Sequence, residues 1–216
     1  MKIDILTIFP EMFSSPFAES MLKRAQKKRI VEIKIHNLRD WSTDKYRSVD
    51  DSPFGGGAGM VMRVDVVDRA LTDLKAKSLP LKAKVILLDT KGRLYDQQKA
   101  QELTKVEHLI LIAGHYEGID HRVHKHLADE VISIGEYVLT GGEIPVMVIV
   151  DSVVRLLPGV LGNPESLSEE SYSLSKSYIE YPQYTRPPEY KGWKVPEVLL
   201  SGDPKKIKQW QEEKTK

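Results

Sequence analysis

Short apolar runs, separated by segments with helical spacing, recur along the first three quarters of the chain. "KIDILTIF" (2–9) alternates and is rich in β-branched residues, which predicts a strand, and "VEIKIHNL" (31–38) predicts a second. "KVILLD" (84–89) and "HLILIAG" (108–114) are continuously apolar, as is typical of parallel strands covered on both faces. "EVISIG" (130–135) predicts a further strand.

Segments between and after these strands predict helices. The predicted helices run from Pro10 to about Lys28, from Met60 to Lys77, from a cap at Asp96 through Val106, and from Glu143 to Leu157, before Pro158-Gly159. Strands that alternate with helices indicate an α/β fold. In such folds, ligands bind at the carboxyl ends of the strands.

The composition changes after Gly162. Residues 163–185 are polar and rich in serine and proline, which predicts a flexible interdomain linker. Residues 186–216 predict a small helical domain, in which Asp203 caps a helix that has Pro204 in its first turn. We therefore expect one α/β domain over 1–162, the linker, and the small C-terminal domain.

Charge and cysteine content narrow the function classes. The 216 residues carry a net charge of +1, so any anionic partner must be held by local basic patches. The chain has no cysteine, which excludes disulfides, thiolate metal ligands and a cysteine nucleophile. The longest apolar stretch, 144–161, carries Asp151 and Arg155 and is a poor membrane span. These features favour a cytoplasmic protein without a membrane partner.

One loop is unusually rich in glycine and therefore has few side chains. "DSPFGGGAGM" (51–60) places Gly55, Gly56, Gly57 and Gly59 within five residues. Glycine permits positive φ and close approach of a ligand. The loop does not match a phosphate-binding P-loop, which requires Lys-Ser or Lys-Thr after its last glycine, nor does it match the dinucleotide pattern.

Three predicted strands end in glycine-containing loops, "LLDTKG" (87–92), "AGHYEGIDHR" (113–122) and "IGEYVLTGGE" (134–143). Such loops expose backbone groups to a flat ligand such as adenine, although strand-to-helix turns commonly use glycine for geometry alone. None has a lysine placed for a triphosphate. A ligand with a positive centre near Glu117 or Glu136, such as a sulfonium, fits better.

Two further clusters leave alternatives open. His115, His121, His124 and His126 suggest a zinc site, but no cysteine or well-spaced carboxylate completes it, and His121 is better read as part of an exposed helix start. Asp151 and Arg155 share one face of a predicted helix. They form either an intrahelical ion pair or a guanidinium aimed at an oxygen, such as O6 of guanine.

Basic and aromatic residues gather in "KRAQKKR" (23–29), "TRPPEYKGWK" (185–194) and "KKIKQW" (205–210). Each alone is typical of a solvated face. In combination they favour RNA, since lysine and arginine contact phosphates and aromatic rings stack on unpaired bases.

Five long motifs carry a resemblance to a known family. They are "ILTIFPEMF", "DDSPFGGGAGM", "AGHYEGIDHRV", "SIGEYVLTGGEIPVMVIVDSVVRLLPGVLGN" and "YPQYTRPPEYKGWKVPEVLLSG". In this order and spacing the chain closely resembles the bacterial tRNA (guanine-N1)-methyltransferases, enzymes of the SPOUT class. The resemblance implies a parallel sheet with a deep C-terminal trefoil knot, and a homodimer whose active site is shared between subunits. It also implies methyl transfer from S-adenosylmethionine to N1 of the guanine just 3′ of a tRNA anticodon, without DNA as a partner.

The resemblance also assigns binding residues. Those matching the family's methyl-donor site are Leu88, Asp89, Gly114, Tyr116, Glu117, Ile134, Gly135, Glu136, Tyr137, Val138, Leu139, Gly141 and Gly142. Those matching the site for the target guanine, which must leave its stack, are Asp51, Gly55, Gly56, Gly57 and Gly59.

The catalytic assignment follows from what N1 of guanine requires. N1 carries a weakly acidic proton, so attack on a methyl sulfonium needs a base, and negative charge then builds on O6. The family places an aspartate in a linker segment that reads "SEESY" here, so the resemblance implies Glu170 as the base and Arg155 as the partner of O6. Glu169 is the alternative base.

The chain departs from the family pattern in places. His115 replaces the usual arginine, which makes a cation there pH-dependent. "LLDTKG" also differs, which bears on Asp89 and Thr90, and the chain is shorter than most relatives at its C-terminus. Magnesium is implied by the resemblance only. A ribose 2′-O-methyltransferase of the same class and a non-catalytic tRNA-binding module are the alternative functions.

Overall fold

The computed structural model describes residues 1–78, 80–163 and 170–216, and the chain divides into two units, Met1–Gly162 and Asn163–Lys216. The strands are β1 (Lys2–Thr7), β2 (Glu32–Asn37), β3 (Asp50–Asp51), β4 (Val61–Met62), β5 (Ala83–Leu94), β6 (His108–Ala113), β7 (Glu130–Ser133), β8 (Glu189–Tyr190) and β9 (Trp193–Lys194). The α-helices are α1 (Ser20–Lys27), α2 (Val64–Ala76), α3 (Gln97–Leu103), α4 (Glu143–Val154), α5 (Glu197–Leu200) and α6 (Pro204–Lys214).

A five-stranded parallel sheet in the order β2-β1-β6-β5-β7 organises the first unit. All six residues of β6 are buried, because its alternate side chains enter two hydrophobic clusters. One cluster includes the buried valines and the buried isoleucine of α4, and the other includes the buried residues of α2. The α/β class and the parallel sheet predicted from the apolar runs are confirmed.

The predicted helix from Pro10 to Lys28 is wrong over its first half. The segment forms two single 3₁₀ turns, Pro10–Phe13 and Pro16–Ala18, and only then α1. Pro16 has no backbone N–H and therefore cannot donate the hydrogen bond that would continue an α-helix through it. The turns bury Phe13 and Phe17 in the core. The predicted helix over 60–77 also starts later, since β4 pairs with β3 before α2 begins.

Strand β5 departs from its neighbour β7 at one point. Leu88 and Arg93 both pair with Ile132, so residues 89–92 leave the ladder. Gly92 allows β5 to rejoin β7 after these residues, because a Cβ at this position would lie only 2.5 Å from the backbone nitrogen of Ile132. The excursion directs residues 89–91 towards the end of the sheet, where the candidate site lies.

A buried carboxylate joins the three strands β1, β2 and β6. Asp4 is fully buried and accepts hydrogen bonds from His36 Nε2 at 2.6 Å and His108 Nε2 at 2.7 Å, with Lys2 Nζ 3.0 Å away. Burial alone raises the pKa of Asp4, but these partners outweigh it and lower the pKa to about 2. For His108, burial lowers the pKa, and the hydrogen bond to Asp4 partly offsets this lowering.

Over its described residues, the second unit contains a β8–β9 hairpin and the two α-helices α5 and α6. The predicted cap is confirmed: the Asp203 side chain accepts from the backbone N–H of Lys205 at 3.0 Å, with Pro204 in the first turn. In α3, Asp96 likewise caps through the N–H of Lys99 at 2.9 Å, as predicted.

Across the ranges that the structure describes, no helix combines the length and the apolar character needed to cross a membrane.

Candidate active site

The three glycine-containing loops converge on one cavity at the carboxyl end of the sheet. Twelve of the thirteen residues matched to the family's donor site line it: Leu88, Asp89, Gly114, Tyr116, Glu117, Ile134, Gly135, Tyr137, Val138, Leu139, Gly141 and Gly142. The thirteenth, Glu136, faces a neighbouring cavity with Thr90 and Gly92. The convergence follows from parallel strands, whose carboxyl ends meet at one edge.

Other residues of the cavity wall were not assigned to the donor site from the sequence. Lys91, Gly118 and Thr140 lie within the same loops, as do Thr90 and His115, which the sequence marks only as departures from the family pattern. Ile132, Ser133 and Pro145 also line the cavity. They lie in a strand and a helix that the apolar pattern assigns to the core, and only their position in the fold reveals them.

Backbone packs directly against backbone beneath the cavity. Gly142 N–H donates to the carbonyl of Gly114 at 2.7 Å, and His115 pairs with Gly141 as an isolated bridge. A Cβ on Gly142 would lie 2.7 Å from Gly114 N and 2.8 Å from Ala113 Cα. Only glycine fits at Gly142, and the close contact joins the loop after β6 to the start of α4.

The glycine loop lies beside this cavity. Gly55, Gly56, Gly57 and Gly59 all have positive φ, and a Cβ on Gly55 or Gly56 would meet no described atom within 4 Å. A Cβ on Gly59, by contrast, would lie 2.7 Å from Glu117 Oε1. Glu117 N–H donates to the carbonyl of Met60 at 3.1 Å, which ties the loop to the cavity wall. Asp51, which precedes the loop, is exposed in β3.

A second buried carboxylate stands at the start of α4. Glu143 is 1% exposed and accepts from the Thr7 hydroxyl at 2.8 Å. Its other oxygen lies 3.6 Å from His115 Nδ1, and the His115 ring packs edge-on against Phe9 with centroids 4.8 Å apart. His115 is therefore held beside a carboxylate at the rim of the cavity.

Among the described residues, the histidines that suggested a metal site do not form one, although the His121 and His124 rings pack with centroids 5.1 Å apart. His124 bonds Asp89, with Nε2 3.1 Å from Oδ2, while His121 and His126 are exposed. In the part of the chain that the structure describes, no three His, Cys, Asp or Glu side chains are grouped to hold a metal ion. The magnesium implied by the resemblance stays a prediction.

The two predicted catalytic residues belong to different units. Arg155 is half-buried at the C-terminal end of α4, where its backbone N–H donates to the Asp151 carbonyl at 3.1 Å. Glu170 is half-buried at the first described residue after the gap, and its carbonyl accepts from Ser173 N–H at 3.0 Å. The alternative base, Glu169, lies outside the described residues.

Comparison with known proteins identifies the family. The family profile described as "tRNA (Guanine-1)-methyltransferase TrmD" matches residues 1–216. A protein named tRNA (guanine-N(1)-)-methyltransferase from Dictyoglomus turgidum is 56% identical over 210 residues, covering 97% of this chain and 83% of that protein. Proteins of the same name from Dehalococcoides mccartyi and Bacillus cereus are 52% and 53% identical, over 97% of this chain and 84% and 85% of theirs. The chain therefore belongs to the tRNA (guanine-1)-methyltransferase family.

Proposed function

We propose that the protein transfers a methyl group from S-adenosylmethionine to N1 of the guanine immediately 3′ of the tRNA anticodon, position thirty-seven. Family membership supports the reaction class. The contact between Gly59 and Glu117 carries the structural argument. This contact places the glycine loop, which we propose binds the guanine, against the wall of the cavity proposed for the donor. Methyl transfer requires the two ligands to be adjacent in this way.

The residues of the cavity fit this donor. Gly114, Gly141 and Gly142 line the cavity without side chains, which suits a flat adenine, and Leu88 and Leu139 supply apolar surface. Asp89 and Glu117 add two carboxylates, which favour a ligand that carries a positive sulfonium. When bound, S-adenosylmethionine supplies an electrophilic methyl group. We therefore assign the donor to this cavity, with Glu136 of the neighbouring cavity as a further contact.

Methylation at N1 requires the protein to accept the N1 proton and to stabilise the negative charge that develops on O6. We assign the N1 proton of guanine to the Glu170 carboxylate, which accepts it as N1 bonds the methyl carbon and the carbon–sulfur bond breaks. We assign the developing negative charge on O6 to Arg155, whose guanidinium donates hydrogen bonds from a planar fork. Asp51 and the glycines of residues 55–59 are assigned to hold the unstacked base.

We extend the proposal to the trefoil knot and a homodimer. Phe9, Met12 and Ile144 border one shallow cavity and are exposed, and Val148 is exposed one turn after Ile144 on α4. An apolar surface of this kind is typical of a face covered by a partner. A second copy of the chain, bringing its own residues to the guanine, is the partner that family membership favours.

The second unit is proposed to bind tRNA, as a small helical domain after a linker over 163–185. Two aromatic pairs lie on it, Tyr184 with Trp210 and Tyr190 with Trp193, with ring centroids 6.2 and 5.9 Å apart. Lys191 Nζ lies 5.3 Å from the Tyr190 ring. Rings beside cations suit stacked bases and phosphates. Because tRNA is the substrate, we place the reaction in the cytoplasm.

The product identifies the reaction. The full chain is incubated with methyl-labelled S-adenosylmethionine and an unmodified tRNA transcript that has guanine 3′ of its anticodon, and the nucleosides are separated by mass spectrometry. We expect 1-methylguanosine, and no product from a transcript with adenine at that position. A ribose-methylated nucleoside would indicate the 2′-O-methyltransferase alternative, and tRNA binding without any product would indicate a non-catalytic module.

A further inference from the structure

We infer that His124 is a positioning residue that holds the Asp89 carboxylate so that it accepts a hydrogen bond from the bound methyl donor. The inference rests on the proposed function, because it assigns Asp89 to the donor cavity. It concerns a contact between two side chains 35 positions apart in sequence.

The pair joins a residue of the cavity wall, Asp89, to a side chain that is not among the lining residues, His124. His124 Nε2 lies 3.1 Å from Asp89 Oδ2, and the two side chains are 8% and 13% exposed. Asp89 Oδ1 also accepts from the backbone N–H of Lys91 at 2.9 Å. The carboxylate is therefore held from two sides, while Asp89 itself borders the cavity.

The surroundings of His124 determine its tautomer. Its Nδ1 is buried and has no hydrogen-bond partner among the described residues. A proton on Nδ1 would be a buried donor without an acceptor, so the favoured tautomer carries the proton on Nε2 and donates it to Asp89. An ionised carboxylate has about four lone-pair sites. His124 and Lys91 use two of them, and the others can accept from a ligand.

Backbone features hold both partners in place. His124 lies in a single π-helical turn, Val123–Leu127, where Ala128 N–H donates to the Val123 carbonyl at 2.9 Å and Val123 is fully buried. Turns of this kind are frequent at functional sites. Asp89 opens the excursion in which residues 89–92 leave the β5–β7 ladder. Irregular backbone in both segments thus brings the His124 side chain into contact with Asp89, which lines the cavity.

Because the Asp89 carboxylate is a hydrogen-bond acceptor, the group of the methyl donor that contacts it must be a hydrogen-bond donor. S-adenosylmethionine offers two kinds of donor to a fixed carboxylate, the vicinal hydroxyls of its ribose and the ammonium of its methionine part. Both share the capacity to donate a hydrogen bond to an anion, an interaction stronger than a neutral one. 5′-Methylthioadenosine keeps the ribose and lacks the ammonium, so it separates the two sources.

Two substitutions of His124 separate its hydrogen-bond donor from its ring and so test whether it positions Asp89. His124→Phe keeps a flat ring but removes the donor, whereas His124→Gln keeps an N–H donor and loses the ring. His126→Phe, at an exposed neighbour, is the matched control. For each, the KM for S-adenosylmethionine and kcat are measured with tRNA, and Kd is measured for S-adenosylhomocysteine and 5′-methylthioadenosine.

We expect His124→Phe to raise the donor KM and the Kd of S-adenosylhomocysteine about tenfold, with kcat at saturating donor within about twofold of wild type. His124→Gln and His126→Phe should stay within about threefold of wild type. Asp89→Asn should match His124→Phe, and the double variant should be no weaker than either, since both remove one contact. An equal loss for 5′-methylthioadenosine indicates the ribose, and an unchanged affinity for it indicates the ammonium.

Wild-type affinity in His124→Phe would overturn the inference, as would equal losses in His124→Phe and His124→Gln, which would indicate packing alone. In either case the proposed function stands if the wild type still makes 1-methylguanosine. A wild-type protein that binds no S-adenosylhomocysteine would overturn the proposed function, and this inference with it.

Discussion

The Glu117 side chain lies against the backbone of Gly59, where a Cβ would come 2.7 Å from Oε1. Glu117 lines the proposed donor cavity, and Gly59 ends the run of glycines proposed to hold the guanine. The two proposed subsites thus share this one contact, so a substitution at the contact should affect both ligands, whereas one elsewhere in the glycine loop should affect guanine binding alone.

Gly59→Ala should impair both ligands. The added Cβ displaces Glu117, and the φ of +81° disfavours any residue with a side chain. We expect the Kd of S-adenosylhomocysteine to rise about tenfold and methylation to fall further. Gly55→Ala is the control at similar φ, +88°, with no described atom within 4 Å of its Cβ. It should leave donor affinity unchanged and raise the KM for tRNA. Calorimetry and steady-state kinetics measure the two effects, and wild-type donor affinity in Gly59→Ala would refute this arrangement.

Glu170→Gln should slow the reaction without weakening binding. The amide cannot accept the N1 proton, so kcat at saturating tRNA and donor should fall by about 10²–10⁴-fold. Glu169→Gln tests the neighbouring alternative, and Glu180→Gln is a control from the same unit. A normal turnover in Glu170→Gln, combined with a loss in Glu169→Gln, would transfer the assignment to Glu169.

Arg155→Lys should reduce methylation even though the positive charge is kept. Lysine cannot reproduce the planar, two-pronged donor geometry towards O6, and a contact of this kind contributes about 1–3 kcal/mol. We expect kcat/KM for tRNA to fall by about tenfold or more, with the Kd of S-adenosylhomocysteine unchanged. Arg122→Lys, at an exposed arginine paired with Asp120, is the control. Equal effects in both variants would contradict a specific role for Arg155.

Asp4→Asn should destabilise the protein in a pH-dependent way. The folded pKa of Asp4 is about 2, below its ordinary 3.8, so ionised Asp4 stabilises the fold above pH 3.8, and this contribution is lost as the pH falls through 2. At pH 7 we expect the free energy of unfolding to drop by about 2 kcal/mol. Urea unfolding at several pH values should show the gap between wild type and variant closing below pH 4. Asp40→Asn, at a surface pair with Arg47, should change little. A gap that is the same at all pH values would contradict the assignment.

Charge placed on the exposed face of α4 should disrupt the proposed homodimer. Ile144 and Val148 lie four residues apart and are 49% and 40% exposed. We expect Ile144→Glu combined with Val148→Glu to sediment as a monomer and to lose tRNA methylation while keeping its α/β circular dichroism. Leu81→Glu, at an exposed leucine in the loop before β5, should leave both unchanged. A wild type that sediments as a monomer at working concentration would refute the dimer.

Much of the fold is local and therefore predictable. Continuous apolar runs predict buried parallel strands because both of their faces need cover, and β5 and β6 follow those runs. Asp96 and Asp203 predict helix starts because a cap bonds backbone N–H groups two or three residues away. Pro10 was misleading as a helix start, since the outcome depended on Pro16 and on burial of two phenylalanines.

By itself, the sequence determined the α/β class, the five strands of the main sheet in their order along the chain, the glycine loops and, through five motifs in register, the family. Only the tertiary structure decided which of these residues meet. Thr7 bonds Glu143 across 136 positions, and His124 bonds Asp89 across 35, at partners that no local pattern marks. The physical reason is that parallel strands bring distant loops to one edge of the sheet, where hydrogen bonds form according to position in space rather than spacing along the chain.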